Sequence, residues 1–154
     1  MPSFRSERRV RHKADQMFDL VADVGRYPEF VPLCTGLRVR NRRTDGQWRE
    51  TLIADMSVGY KMVREKFTSR VVLDKQRLRV IVEYIDGPFQ RMENIWTFRD
   101  EPDGARSLVT FFIDYEFRSR TLGALMGSMF DTAFRKFSQA FEERADTVYG
   151  TDQL

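Results

Sequence analysis

Residues 18–34 read Phe18-Asp19-Leu20-Val21-Ala22-Asp23-Val24-Gly25-Arg26-Tyr27-Pro28-Glu29-Phe30-Val31-Pro32-Leu33-Cys34, and this stretch decides the fold. Apolar residues at helical spacing (Met17, Phe18, Val21, Ala22) predict a helix over Ala14–Val24 that stops at Gly25. A second short helical turn is expected at Tyr27–Phe30. Beyond it, a proline-punctuated loop presents Tyr27, Phe30, Val31 and Leu33. A loop carrying this much apolar surface closes over something, either the protein's own core or a hydrophobic ligand.

Outward from this stretch the pattern changes to period two. Ser3–Val10 suits a first strand. Six further strand-like runs follow the loop: Gly36–Arg43, Gln47–Val58, Tyr60–Leu73, Arg77–Ile85, Arg91–Asp100 and Arg106–Phe117. Thr44-Asp45-Gly46, Leu73-Asp74-Lys75, Asp86-Gly87-Pro88 and Pro102-Asp103-Gly104 punctuate them, and loops this short join neighbouring antiparallel strands. A long helix is expected over Thr121–Tyr149. The fold class is therefore α+β: a meander of about seven strands, one or two short helices after the first strand, and a C-terminal helix.

Alternation assigns the faces of that sheet. Leu52, Ala54, Met56 and Val58 share one side, as do Leu78, Val80, Val82 and Tyr84, then Met92, Trp96 and Phe98, then Val109, Phe111, Ile113, Tyr115 and Phe117. Thr51, Asp55, Arg79, Glu83, Glu93, Thr97, Asp114 and Glu116 take the other side, which faces water. The last helix is the natural cover for the greasy side. Its apolar residues, Leu122, Leu125, Met126, Met129, Phe130, Ala133, Phe134, Phe137, Ala140, Phe141, Ala145 and Val148, span an arc of roughly 200°, against the ~100° stripe of an ordinary surface helix. Such an arc needs a second contact besides the sheet, either the first helix or a ligand held between helix and sheet. Gly123 and Gly127 each cost that helix up to ~1 kcal/mol relative to alanine. Close backbone approach, lid flexibility or a frayed start would each account for them.

Length and composition set the frame. With 154 residues and 42% hydrophobic content the chain makes one domain with a real core, expected over residues 1–150 with a 151–154 tail. No apolar run approaches the ~20 residues of a membrane span, and no secretory signal opens the chain. A cytoplasmic protein is the expectation. One cysteine, Cys34, excludes an internal disulfide, and Cys34 with the single histidine, His12, falls short of a structural zinc set. His12 stands among basic residues with no obvious orienting partner and reads as an exposed loop residue. Cys34 reads as a small buried hydrophobe rather than a nucleophile. No nucleophile elbow, phosphate loop or metal-ligand run is present, so no catalytic residue and no cofactor is assigned.

Charge is uneven. Through Arg49 there are 11 Lys/Arg and 6 Asp/Glu, a balance of +5, and the remainder, 15 against 17, carries −2. Arg5, Arg8 and Arg9 (with Arg11 and Lys13) form one cluster, and Arg38, Arg40, Arg42 and Arg43 another. Each is either a solvated sheet face or, if the two share a side, a docking surface for an anionic membrane or RNA.

Several motifs in order give the chain a resemblance. Asp23-Val24-x-x-Tyr27-Pro28-x-Phe30-x-Pro32-x-Cys34, Asp86-Gly87-Pro88-Phe89, Trp96-x-Phe98, Asp114-Tyr115-Glu116-Phe117 and Phe141-x-x-Arg144-Ala145-x-x-Val148-Tyr149-Gly150 resemble the coenzyme Q-binding protein family of the START-like, polyketide cyclase-like superfamily. Leu33 stands where many members carry tryptophan. The resemblance implies a helix-grip fold, a curved antiparallel sheet around the long helix enclosing an apolar tunnel. It implies ubiquinone or a related polyprenyl lipid as ligand, chaperoned in support of respiration, with transient contact to the anionic inner-membrane surface. The tunnel lining would come from Phe18 and Val21 of the first helix, and from Tyr27, Phe30, Val31 and Leu33 of the loop. The sheet would add Met56, Val80, Val82, Tyr84, Phe89, Trp96, Phe98, Phe111, Ile113 and Tyr115, and the last helix Met126, Met129, Phe130, Ala133 and Phe137. Glu65 and Asn94 are candidates for a headgroup contact, with a surface ion pair as the alternative for Glu65. Two further functions follow from the same kinship: a ribosome-association toxin that binds the large ribosomal subunit and blocks subunit joining, and a polyketide cyclase or dehydratase using Tyr84, Asn94, Tyr115 and Glu65.

Overall fold

A computed structural model describes residues 3–150, so the expected tail at 151–154 lies outside the described residues. Strand β1 (Ser3–Val10) alternates exposed and half-buried positions and turns at His12 into helix α1 (Ala14–Ala22). The helix starts where the Asp100 carboxylate accepts the Ala14 N–H at 2.8 Å and Gln16 Oε1 accepts the Lys13 N–H at 3.0 Å, satisfying donors that have no partner inside the helix. It buries Ala14, Met17, Phe18 and Val21 on one face. It ends two residues earlier than the periodicity predicts. A 3-10 helix over Val24–Glu29 takes over, because Pro28 supplies no amide hydrogen for a continuing α-turn.

Six antiparallel strands follow: β2 (Cys34–Thr44), β3 (Arg49–Tyr60), β4 (Val63–Asp74), β5 (Arg79–Asp86), β6 (Phe89–Asp100) and β7 (Ser107–Phe117). The sheet order is β1-β7-β6-β5-β4-β3-β2, a meander closed by the return of the first strand to the last. The β3–β4 connection differs most from expectation. Strand β3 runs on to Tyr60 and the chain reverses over Lys61–Met62, with Lys61 at φ +56°. The sequence pattern breaks the two strands at Gly59, and the reversal itself comes two residues later, at positions with no glycine, proline or asparagine to mark it. The β5–β6 turn is the opposite case: Gly87 has φ +147°, and a Cβ there would lie 2.5 Å from Phe67 Cβ. Only glycine fits.

Helix α2 (Arg120–Tyr149) starts at Ser119, whose Oγ accepts the Leu122 N–H at 3.1 Å. It lies against the apolar side of the sheet, completing the helix-grip arrangement. Met126, Phe130, Ala133, Phe134, Phe141 and Ala145 are buried. The whole arc is not covered: Leu125 and Val148 remain exposed. Nor does close approach explain the two glycines, since a Cβ on Gly123 would sit 3.7 Å from the Phe117 ring and one on Gly127 would meet nothing. The first turns of α2 therefore carry helix-weakening residues without a packing gain.

Aromatic rings clamp the helix at two levels. Phe141 lies 4.9 Å from Phe30, 5.0 Å from Trp96 and 5.4 Å from Tyr27, all edge-to-face. Two to three turns earlier, Phe130 meets Phe89 and Phe117 at 5.6 and 5.8 Å. His12, expected in solvent, is 4% exposed instead, and its Nε2 lies 2.7 Å from Asp146 Oδ1. A partner 134 residues away explains its burial, tying the β1–α1 turn to the end of α2.

Phe141→Ala should lower unfolding free energy by about 3–5 kcal/mol, read as a shift of the urea midpoint at unchanged slope. An effect below about 1 kcal/mol would mean that the three-ring contact does not hold the helix.

Candidate functional site

Between α2 and the concave side of the sheet lies a cavity of about 80 Å³. Val24, Tyr27, Val31, Pro32 and Leu33 close one side of it. Strands β3 to β7 contribute Ala54, Met56, Val58, Phe67, Ser69, Val71, Val82, Phe89, Met92, Asn94, Trp96 and Ile113, and α2 contributes Phe130, Ala133, Phe134, Phe137 and Phe141. None of these is Asp, Glu, Lys, Arg or His. The polar groups on the wall are few. Tyr27 donates its hydroxyl hydrogen to the Val21 carbonyl, and burial pushes its phenol pKa far up, so it stays neutral. Asn94 donates one Nδ2 hydrogen to the Phe112 carbonyl at 2.8 Å, leaving a second N–H and Oδ1 for a ligand. Ser69, buried on β4, adds a hydroxyl.

The structure gathers twelve of the expected residues on this wall: Tyr27, Val31, Leu33, Met56, Val82, Phe89, Asn94, Trp96, Ile113, Phe130, Ala133 and Phe137. It puts others elsewhere. Phe18 packs edge-on against Phe98 at 6.0 Å and lines a separate crevice beside Lys75. Val21, Val80, Phe98, Phe111 and Met126 are buried in the core without lining the cavity. Phe30 lies outside it, between Phe141 and the Arg144 guanidinium. Tyr84 and Tyr115 buttress Phe89 at 5.6 and 5.7 Å. Met129 belongs to an outer groove. Glu65 stands opposite Val58 in the register, on the inward column of β4, but does not line the cavity and forms no ion pair among the described residues.

Val24 and Pro32, read from sequence only as motif residues, and Phe67, Ser69 and Val71, not singled out at all, also line the wall. The signal for the last three is the alternation with Lys66, Thr68 and Arg70, blurred by the unbroken run Val71-Val72-Leu73.

The cavity shares a stretch of wall, the neck, with the outer surface. Pro32, Leu33 and Ala133 line both it and a groove on the outer surface, formed by Tyr60–Val63 on one bank and Leu125 to Lys136 on the other. Leu33 is held at φ +69°, an uncommon conformation for a leucine, and its carbonyl accepts the Gly59 N–H at 3.0 Å. That bond fixes the loop against β3 at the neck.

The two arginine clusters do not meet. Arg5, Arg8 and Arg9 sit on edge strand β1, and Arg38, Arg40, Arg42 and Arg43 on the opposite edge, β2. Most are engaged: Arg5 with Glu7, Arg8 with Glu142, Arg9 with Glu101, Arg40 with Asp55 and Arg42 with Glu50. Among the described residues no group of three or more His, Cys, Asp or Glu side chains is placed to hold a metal ion. Among the described residues no helix is long and apolar enough to cross a membrane.

A profile of the family described as polyketide cyclase / dehydrase and lipid transport matches residues 10–142. The ribosome association toxin RatA of Rickettsia prowazekii is 31% identical over 151 residues, 96% of this chain and 99% of that protein. The mitochondrial coenzyme Q-binding protein COQ10 homolog B of Xenopus laevis is 29% identical over 144 residues, 91% of this chain and 56% of that protein. The solution structure of an 18 kDa protein of Caulobacter crescentus superposes with a TM-score of 0.79 at 38% identity, covering 98% of this chain and all of that one.

Burial pushes the Cys34 thiol up to about 11. Alkylation by iodoacetamide at pH 8 should therefore run roughly 100-fold slower in the folded protein than after unfolding in urea. Equal rates, followed by mass spectrometry, would contradict the burial of Cys34.

Proposed function

Because the chain belongs to the polyketide cyclase / dehydrase and lipid transport family, we propose that it binds the head and first isoprenoid unit of a polyprenyl quinone such as ubiquinone in the cavity under α2, and carries it without chemical change. The observation that carries this reading is the wall itself: apolar and aromatic throughout, with no acid, base or cation, and with one amide side chain free to hydrogen-bond. Each methylene withdrawn from water contributes about 0.8 kcal/mol, so an isoprenoid tail partitions into such a wall without any catalytic group. The second Asn94 N–H suits a quinone carbonyl, and Oδ1 suits the hydroxyl of the reduced head. Cyclisation or dehydration calls for a positioned acid or base, and the wall offers none.

Size limits the form of binding. A cavity of about 150 Å³ takes up a benzene ring, whereas this one measures about 80 Å³. A quinone therefore requires the walls to yield. Met56 and Met92 are unbranched and adaptable, and the two glycines put the weakest helix of α2 beside the neck.

Titration with a water-soluble, short-tailed ubiquinone, followed by tryptophan fluorescence, should quench Trp96 saturably at one site. Ala133→Phe fills the neck and should raise Kd at least about tenfold, at a stability cost of about 1–3 kcal/mol because Ala133 is buried. Asn94→Leu removes the head contact and should raise it about five- to tenfold. A folded wild-type protein that ignores the quinone would overturn the proposal.

One observation favours a second reading. The RatA relative matches over nearly its entire length, and Arg38 and Arg43 form no ion pair among the described residues. In this reading the β2 edge contacts the large ribosomal subunit. Cosedimentation with that subunit should fall steeply with salt and be lost in Arg38→Gln/Arg43→Gln. Unchanged pelleting of that variant would remove β2 from the contact.

A further inference from the structure

The outer groove at the neck has a composition unlike the rest of the surface. Its banks are the Lys61–Met62 turn with Tyr60 and Val63, and the outward side of α2 from Leu125 to Lys136. Met62 is 95% exposed, Leu125 63% and Tyr60 48%. Met62 therefore stands clear of the domain at the tip of a hairpin, where it packs on nothing. Single exposed apolar groups are ordinary, but three large ones converging on one groove are not.

Charge singles out the same place. The lining includes Lys61 and Lys136 and no carboxylate. Neither lysine forms an ion pair among the described residues; Lys61 Nζ lies 5.2 Å over the Tyr60 ring, and the nearby Asp131 is engaged by Arg135 at 3.1 Å. Protruding apolar tips, a tyrosine and unpaired lysines on long flexible stems together match the boundary between acyl chains and anionic headgroups.

We propose that this rim docks the protein on an anionic lipid bilayer, with Met62 and Leu125 entering the acyl region while Lys61 and Lys136 meet the headgroups. Continuity with the neck gives the docking its use, and this purpose rests on the quinone-binding reading. Pro32, Leu33 and Ala133 line both groove and cavity, so docking here places the wall of the cavity that has to yield directly against the membrane. The arginine clusters on the sheet edges play no part in this contact.

The test is co-flotation of the full chain with vesicles of phosphatidylcholine alone and with 30% phosphatidylglycerol. Wild type should float with the anionic vesicles and only weakly with the neutral ones. Met62→Asp should reduce the floated fraction about tenfold. Lys61→Gln/Lys136→Gln should reduce it about fivefold per lysine at low salt, whereas Arg70→Gln/Arg99→Gln on the outer side of the sheet should leave it unchanged. Met62 packs on nothing, so Met62→Asp should keep wild-type Tm and wild-type affinity for the soluble short-tailed quinone. Asn94→Leu, which lies in the cavity and not in the groove, separates the two readings: it should still float like wild type while binding quinone about five- to tenfold more weakly. If wild type floats but never binds quinone, the docking rim stands and the cavity reading fails. Flotation of Met62→Asp equal to wild type, or loss of large-subunit cosedimentation by that variant without loss of flotation, would overturn the docking rim.

Discussion

Phe141 sits edge-on to three rings drawn from two separate parts of the chain: Tyr27 and Phe30, within and at the end of the 3-10 helix, and Trp96 of β6. Edge-to-face contacts fix direction as well as distance, so this one residue sets how α2 crosses the sheet and how the loop lies over it. The His12–Asp146 pair, one turn further on, fastens the same end of the helix. Toward the opposite end the last ring contacts are those of Phe130 with Phe89 and Phe117, and the turns before them are held less firmly. The helix begins with a single serine cap and two glycines that nothing crowds. A rod anchored at one end and soft at the other is what a cavity needs if it is to open without the fold coming apart.

The concave sheet explains why a cavity exists at all. A seven-stranded meander buries one side only if something covers it, and one helix with a short loop is a narrow cover. Phenylalanines bridge the remaining gap, Phe89 touching Phe67, Tyr84, Tyr115, Phe117 and Phe130. Rings are large and rigid, and rigid bodies on a curved wall leave gaps between them. Methionines soften the boundary. The hollow is the geometric remainder of this arrangement, and its lack of charge follows from the period-two pattern that sends the charged groups in the middle of β3 to β7 to the other side; Glu50, Glu65 and Asp100 fall on the inward column toward strand ends and do not line the cavity.

The order of elements, the meander and the identity of the covering helix were legible in the sequence because they rest on periodicity, which is local. Leu52 to Val58 and Val109 to Phe117 announce their inward side residue by residue. What rests on distance was not legible. His12 and Asp146 are 134 residues apart, and nothing near His12 hints at its partner. The Lys61–Met62 reversal uses a lysine in a left-handed conformation and carries no turn residue. About half of the expected lining residues share the cavity wall. The others are apolar on the correct face yet pack behind the wall or beyond it, since alternation gives a side chain's direction but not its depth. Phe18 is an example, facing Phe98 and Lys75 rather than the hollow.

The outermost strands carry a different consequence. β1 and β2 each leave one row of backbone amides and carbonyls unpaired, the template on which foreign chains add strands and fibrils grow. Both rows are lined with arginine, and β2 is also bent by register shifts near each of its ends. A second molecule offering its own β1 or β2 would bring like charges face to face across a distorted ladder. Guanidinium groups that resemble a nucleic-acid patch in the sequence thus also crowd the two edges on which a foreign strand would have to pair.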